Sequence, residues 1–134
     1  MPVERVNSSA LYDSLQFGFS HASVQTGGRT LHLAGQVGWD KQLNVAAGDL
    51  AAQTRQALAN LRTVLEEAGA SPADVVRLRT YVVDHDPSKL GVVLQEVTAF
   101  FGDATPAPNT YIGVQALAMP DFLVEIEATA GLPD

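Results

Sequence analysis

Hydrophobic and polar positions at first alternate along the chain and then change period. "FSHASVQ" and "TLHLAGQ" flank Gly27-Gly28, and Leu31 and Leu33 alternate with His32 and Ala34. A period of two is that of a half-covered strand. Two glycines between such runs predict a hairpin, because both turn positions tolerate positive φ. Upstream, "PVERVN" predicts a short edge strand with Pro2 at its start. From about Ala47 to Ala68 the spacing becomes helical. Leu50, Thr54, Leu58, Leu61, Leu65 and Ala68 form one stripe, with Gln53, Gln56, Asn60, Glu66 and Glu67 mainly off it. Gly69 suits the helix end, and Ser71-Pro72 opens a short turn with Asp74 at its third position.

"VVRLRTYVV" predicts a strand with Val76, Leu78, Thr80 and Val82 on one face and Val75, Arg77, Arg79, Tyr81 and Val83 on the other. A second helix opens at Asp86-Pro87, runs a stripe through Leu90, Val93, Leu94, Val97 and Phe101, and ends at Gly102. "NTYIGVQAL" and "FLVEIEATA" add two strands. In the last, Val124, Ile126, Ala128 and Ala130 share one face. Leu123, Glu125, Glu127 and Thr129 share the other, with the carboxylates roughly 6–7 Å apart along the strand.

The order β-β-β-α-β-α-β-β, with two one-sided helices, predicts an α+β fold in which both helices cover one face of a mixed sheet. The other face then carries Arg77, Arg79, Tyr81, Tyr111, Gln115, Glu125 and Glu127 among Val75, Val83 and Leu123. Such a face is too apolar for water and too charged for a core, so it predicts a subunit interface. Arg77 and Arg79 are expected to form structural ion pairs with Glu127, and Glu125 is either a further rung of that ladder or acid/base machinery.

Composition narrows the chemistry. A chain of 134 residues predicts one domain spanning 1–134. A net charge of −7 argues against nucleic acid as the partner. Without cysteine there is no disulfide and no thiolate nucleophile. "MPVERVN" has no apolar signal core, and no run is long and apolar enough to span a membrane, so a cytoplasmic protein is expected. His21, His32 and His85 lack ligand spacing, so no metal is expected. No phosphate-cradling glycine motif or nucleophile elbow occurs, and no cofactor is implied. Trp39 reads as a packing residue.

The blocks "FSHAS…GGRTLHLAGQVGWD", "QTRQALANLRTVLEEAGAS", "VVRLRTYVVD" and "VEIEATA" closely resemble, in order and spacing, the RidA/YjgF family of reactive-intermediate deaminases, some of which are labelled perchloric-acid-soluble endoribonucleases. The resemblance implies a chorismate-mutase-like fold and a homotrimer with small-molecule clefts between subunits. It also implies hydrolysis of 2-imino or 2-enamino acids to 2-keto acids and ammonia. Glu125 takes the place of the residue that handles the water, and Gly35 and Gln36 match the cleft-lining pair. Phe17 or Phe19 stands for the family's aromatic, without its hydroxyl. Ala34 stands where the family has serine, Leu94 where it has asparagine, and Asn109 where it has the arginine that clamps the substrate carboxylate. Tyr111 is expected beside that position. An amide holds a carboxylate more weakly than a bidentate guanidinium does. Two functions therefore stay open: a cleft hydrolase of an imine, enamine or related metabolite, and a non-catalytic binding or regulatory trimer. A ribonuclease is disfavoured by the charge.

Overall fold

Leu61 and Leu65 of one helix and Val93 and Val97 of the other have no exposed surface, and together they fix where the core lies. The computed structural model describes residues 2–134. Six strands and two helices follow in the expected order: β1 (Val3–Val6), β2 (Ala22–Gln25), β3 (Arg29–Val37), α1 (Leu50–Glu67), β4 (Val75–Val83), α2 (Pro87–Phe101), β5 (Asn109–Val114) and β6 (Val124–Leu132). Strands β3-β6-β4-β5 form one mixed sheet, with β4 and β5 parallel and the other pairs antiparallel. Both helices pack on one face of it. Leu33, Leu78, Val82, Val124, Ile126 and Ala128 meet their stripes there. The fold class is the α+β arrangement that the periodicity implied.

Local chemistry sets the boundaries. Asp49 caps α1 by accepting from Ala52 N, and Asp86 caps α2 by accepting from Ser88 N, with Pro87 in the first turn. Gly69 follows α1 at φ +80. In the short turn before β4, the Asp74 carboxylate accepts from Ser71 N at 2.9 Å.

Three expectations need correction. The chain does turn at Gly27-Gly28, with φ of 61° and 73°, but β2 and β3 do not form a hairpin. β2 pairs with β1 in a separate two-stranded ribbon, while β3 pairs with β6. The close approach of Gly28 to the Leu132 carbonyl, where a Cβ would lie 2.0 Å from the oxygen, ties the turn to the end of β6.

The second correction is Val75. A bulge between Val75 and Arg77 inserts one extra residue opposite β6, so Val75 is buried in the core together with Leu78. The third is Gln53, which is 0 % exposed rather than off the stripe. Its Nε2 donates to the carbonyls of Ala46 and Asp121 and its Oε1 accepts from Leu123 N, so one side chain holds two loops against the helix.

Candidate functional site

The glycines and polar letters of the two most specific sequence blocks each have a mechanical reason. In "GQVGWD", β3 carries a bulge between Leu33 and Gln36. A Cβ on Gly35 would lie 2.1 Å from Glu125 Oε2 and 2.8 Å from its Cδ, so only glycine lets the glutamate lie over β3. A Cβ on Gly38 would lie 2.9 Å from Cα, Cβ and Cγ of Gln53, so this glycine lets the strand end touch α1. Asp40 Oδ1 accepts from Gln42 N and Asn44 N and closes the following loop. In "QTRQALANL", Asn60 donates to the carbonyls of Val37 and Trp39, and its own Oδ1 accepts from Gln56. Trp39 packs edge-on against Phe122 at 4.7 Å, in the structural role expected of it.

The residues singled out from the sequence fall into two groups on opposite sides of the sheet. On the uncovered face, Glu125 stands opposite Tyr81 of β4 and Val37 of β3, and Glu127 opposite Arg79. Ala34 is exposed on the same side. Among the described residues the Glu125 carboxylate makes no hydrogen bond or ion pair, and the one ion pair is Arg55–Glu96, between the helices. Arg77 and Arg79 therefore form no ladder with Glu127 inside one chain. Glu127 instead accepts from the Tyr81 hydroxyl, and that carboxylate is the main reason the Tyr81 pKa is raised. Arg79 Nε is buried without a partner.

The second group lies beyond the covered face. Gln36 pairs with core-facing Ile126 and so points away from Glu125. Asn109 and Tyr111 pair with Leu78 and Thr80 on the edge strand β5. The placement of Tyr111 on the face of Glu125 is thereby corrected: it packs against the core cluster. Asn109 Oδ1 accepts from Thr80 Oγ1 at 3.0 Å, and Thr80 is 0 % exposed. The Tyr111 hydroxyl meets His85 Nδ1 at 3.0 Å, and burial pushes the phenol's pKa up to about 12. Leu94 is half-buried on α2, whose backbone borders Gly18. Phe17 is 45 % exposed and Phe19 half-buried, both edge-on to Tyr12. Ser20 ties this segment to the run entering β5 by hydrogen bonds to Ala107 O and Pro106 O.

Glu125 and Asn109 therefore do not converge within a single chain. A hollow of about 580 Å³ between α1 and the loop after β3, lined by Gly38, Asp40, Asn44 and Arg55 among others, contains none of the expected site residues. The sequence reading missed Gln53, Asn60, Thr80 and the pairing of His85 with Tyr111. Gln53 had a local signal in the i, i+4, i+8 spacing it shares with Ala57 and Leu61, and Thr80 in its alternation with Leu78 and Val82.

Known proteins place this arrangement. The family model described as Endoribonuclease L-PSP matches residues 14–132. A RutC family protein of Pyrococcus horikoshii is 39% identical over 106 residues, which is 77% of this chain and 79% of the relative. A 2-iminobutanoate/2-iminopropanoate deaminase of Salmonella typhimurium is 31% identical over 98 residues, 72% of this chain and 75% of its own. Among solved structures, a Yersinia pestis protein of unknown function from the conserved Rid family is 55% identical with a TM-score of 0.96, covering 98% of this chain and 100% of that one. Escherichia coli TdcF with bound serine is 25% identical with a TM-score of 0.71, covering 78% and 82%. The match to the family model from Ser14 to Leu132, with these relatives and solved structures, makes this chain a member of the RidA/YjgF family.

Proposed function

We propose that the protein works in the cytoplasm as a homotrimer whose inter-subunit clefts bind a small imine or enamine and hydrolyse it, with Glu125 handling the water. The observation that carries this reading is the seat of Glu125. Its carboxylate lies over Gly35 on a face that the chain leaves uncovered, with no partner among the described residues. A carboxylate so placed can accept a proton from water. The water oxygen bonds to the C=N carbon while Glu125 takes one of its protons and the nitrogen takes up another. The carbinolamine then collapses: the Glu125 proton passes to nitrogen, the C–N bond breaks with its electron pair leaving on nitrogen, the hydroxyl proton is released as the C=O bond forms, and a carbonyl product and ammonia leave with Glu125 again a carboxylate. A neighbouring copy supplies Asn109, Tyr111, Leu94, Phe17 and Phe19, which the sheet separates from Glu125 within one chain.

The relatives support a small amino-acid-derived ligand: one is named for 2-iminobutanoate and 2-iminopropanoate, and another holds serine. The ribonuclease in the family description fits poorly with a net charge of −7, because phosphate binding needs a basic footprint. A second reading, a non-catalytic binding trimer, rests on Asn109, which stands where the resemblance asks for arginine and whose carbonyl is engaged by Thr80.

An assay that generates 2-iminopropanoate in situ and records keto-acid release decides between them. The hydrolase reading expects turnover that falls about 100-fold or more in Glu125→Ala. Turnover that is equal in wild type and Glu125→Ala removes Glu125 from the chemistry. A silent wild type that becomes active as Asn109→Arg identifies an intact cleft tuned to another ligand, and silence in all three favours the binding trimer.

A further inference from the structure

The ligand site proposed above lacks the guanidinium that would neutralise a carboxylate, so the nearby groups that can carry positive charge matter. On β5 the residue two positions after Asn109 is Tyr111, on the same face of the strand. Its hydroxyl is 3.0 Å from His85 Nδ1, and the two rings stand edge-on with centroids 4.7 Å apart. The contact is built in. A Cβ on Gly113 would lie 3.0 Å from His85 Cβ, so the glycine makes room for the imidazole against the strand. His85 itself is half-buried in the loop between β4 and α2.

We infer that His85 is a positioning residue for ligand binding, which acts through Tyr111 to give the cleft a protonation-dependent preference for carboxylates. The inference rests on the cleft proposed above. With a neutral imidazole in its Nε2–H tautomer, Tyr111 donates its hydroxyl proton to Nδ1 and has none to offer a ligand. With the imidazolium, Nδ1–H donates to the Tyr111 oxygen. The hydroxyl proton is then free for a ligand oxygen, with a positive charge behind it.

The phenol stays protonated throughout, since its own titration lies far above that of an imidazole. The other charged groups facing this pair are few. Asp86 at the start of α2 is already engaged by Ser88 N and Oγ, and Lys89 donates to the Asp84 and Val83 carbonyls. Asp84 is exposed in the same loop.

The test measures KM for 2-iminobutanoate and, by calorimetry, the affinity for 2-oxobutanoate, from about pH 5.5 to about 7.5, a range in which a histidine side chain can change charge. In the wild type both are expected to weaken about tenfold over this range, as a charge-assisted hydrogen bond is lost. In His85→Gln they should stay flat at the weak end with kcat little changed, and in Tyr111→Phe the pH slope should be lost as well. A slope that persists in both variants, or no slope in the wild type, overturns the role of His85; so does failure to bind 2-oxobutanoate at any pH. Glu125→Gln separates this inference from the hydrolase reading. It should abolish turnover and leave the slope in 2-oxobutanoate affinity intact. A wild type that binds with the slope but does not turn over would sink the hydrolase and keep His85.

Discussion

On the covered face of the sheet Gln53 and Thr80 are fully buried, and their polar side-chain atoms have partners within the chain. On the uncovered face Arg79 keeps a buried Nε with none, and Glu125 lies over Gly35 with none. The same β6 serves both, Ile126 inward and Glu125 outward. A buried polar group without a partner costs about 1–3 kcal/mol. Loops and helices have therefore completed one face, while the other keeps polar groups unpartnered among the described residues.

The sharpest way to break that division is Gln53→Ala. It strands the Ala46 and Asp121 carbonyls and Leu123 N at once and leaves a cavity, so a loss of about 3–5 kcal/mol in urea unfolding is expected. A loss below about 1 kcal/mol would show that the covered face does not depend on its polar clamps. Arg79→Met tests the other face, with a smaller effect. The isolated chain loses no hydrogen bond made by Nε, so unfolding should move little. Sedimentation should show the oligomer dissociating at protein concentrations where the wild type stays assembled. An unchanged assembly would mean that Arg79 is not completed by another copy.

The subtlest effect compares two tyrosines across the sheet. Both phenols titrate high, Tyr81 chiefly because of the Glu127 carboxylate and Tyr111 chiefly because of burial. A raised tyrosine pKa stabilises the neutral phenol of the folded chain. That contribution is complete below the unfolded value of about 10 and is lost as pH climbs through the folded value, about 12 for Tyr111. In Glu127→Gln an ultraviolet titration should show Tyr81 returning toward the ordinary range while Tyr111 stays high. Movement of both would mean the two faces are electrostatically coupled.

The elements were legible in the sequence because each writes its own period. The Leu61–Leu65 and Val93–Val97 stripes and the alternation through β6 need only local spacing. What escaped was non-local or shifted by one residue. The bulge beside Val75 reverses the face expected from strict alternation, and the bulge in β3 turns Gln36 to the same face as Leu33, where strict alternation would have put it opposite. The partner of β3 depends on β6, about a hundred residues away, so a glycine pair could announce a turn without announcing a hairpin. At the candidate site, Glu125 stood out in the strand pattern and Gly35 and Asn109 through the family resemblance, but the separation of Asn109 from Glu125 by the sheet follows from the registers of β5 and β6 on β4.

The single hydrogen bond between Asn109 and Thr80 bears on how such a family diversifies. On an edge strand, the Asn109 side chain is held by one hydrogen bond, whereas a Cβ at Gly35 would meet the Glu125 side chain and displace the carboxylate from its seat. Drift at the first position gives up one hydrogen bond, and at the second it moves the Glu125 carboxylate. In the proposed cleft, substitution at position 109 would exchange the ligands accepted while the carboxylate seat is inherited, and a screen that selects only for folded protein would not register the exchange.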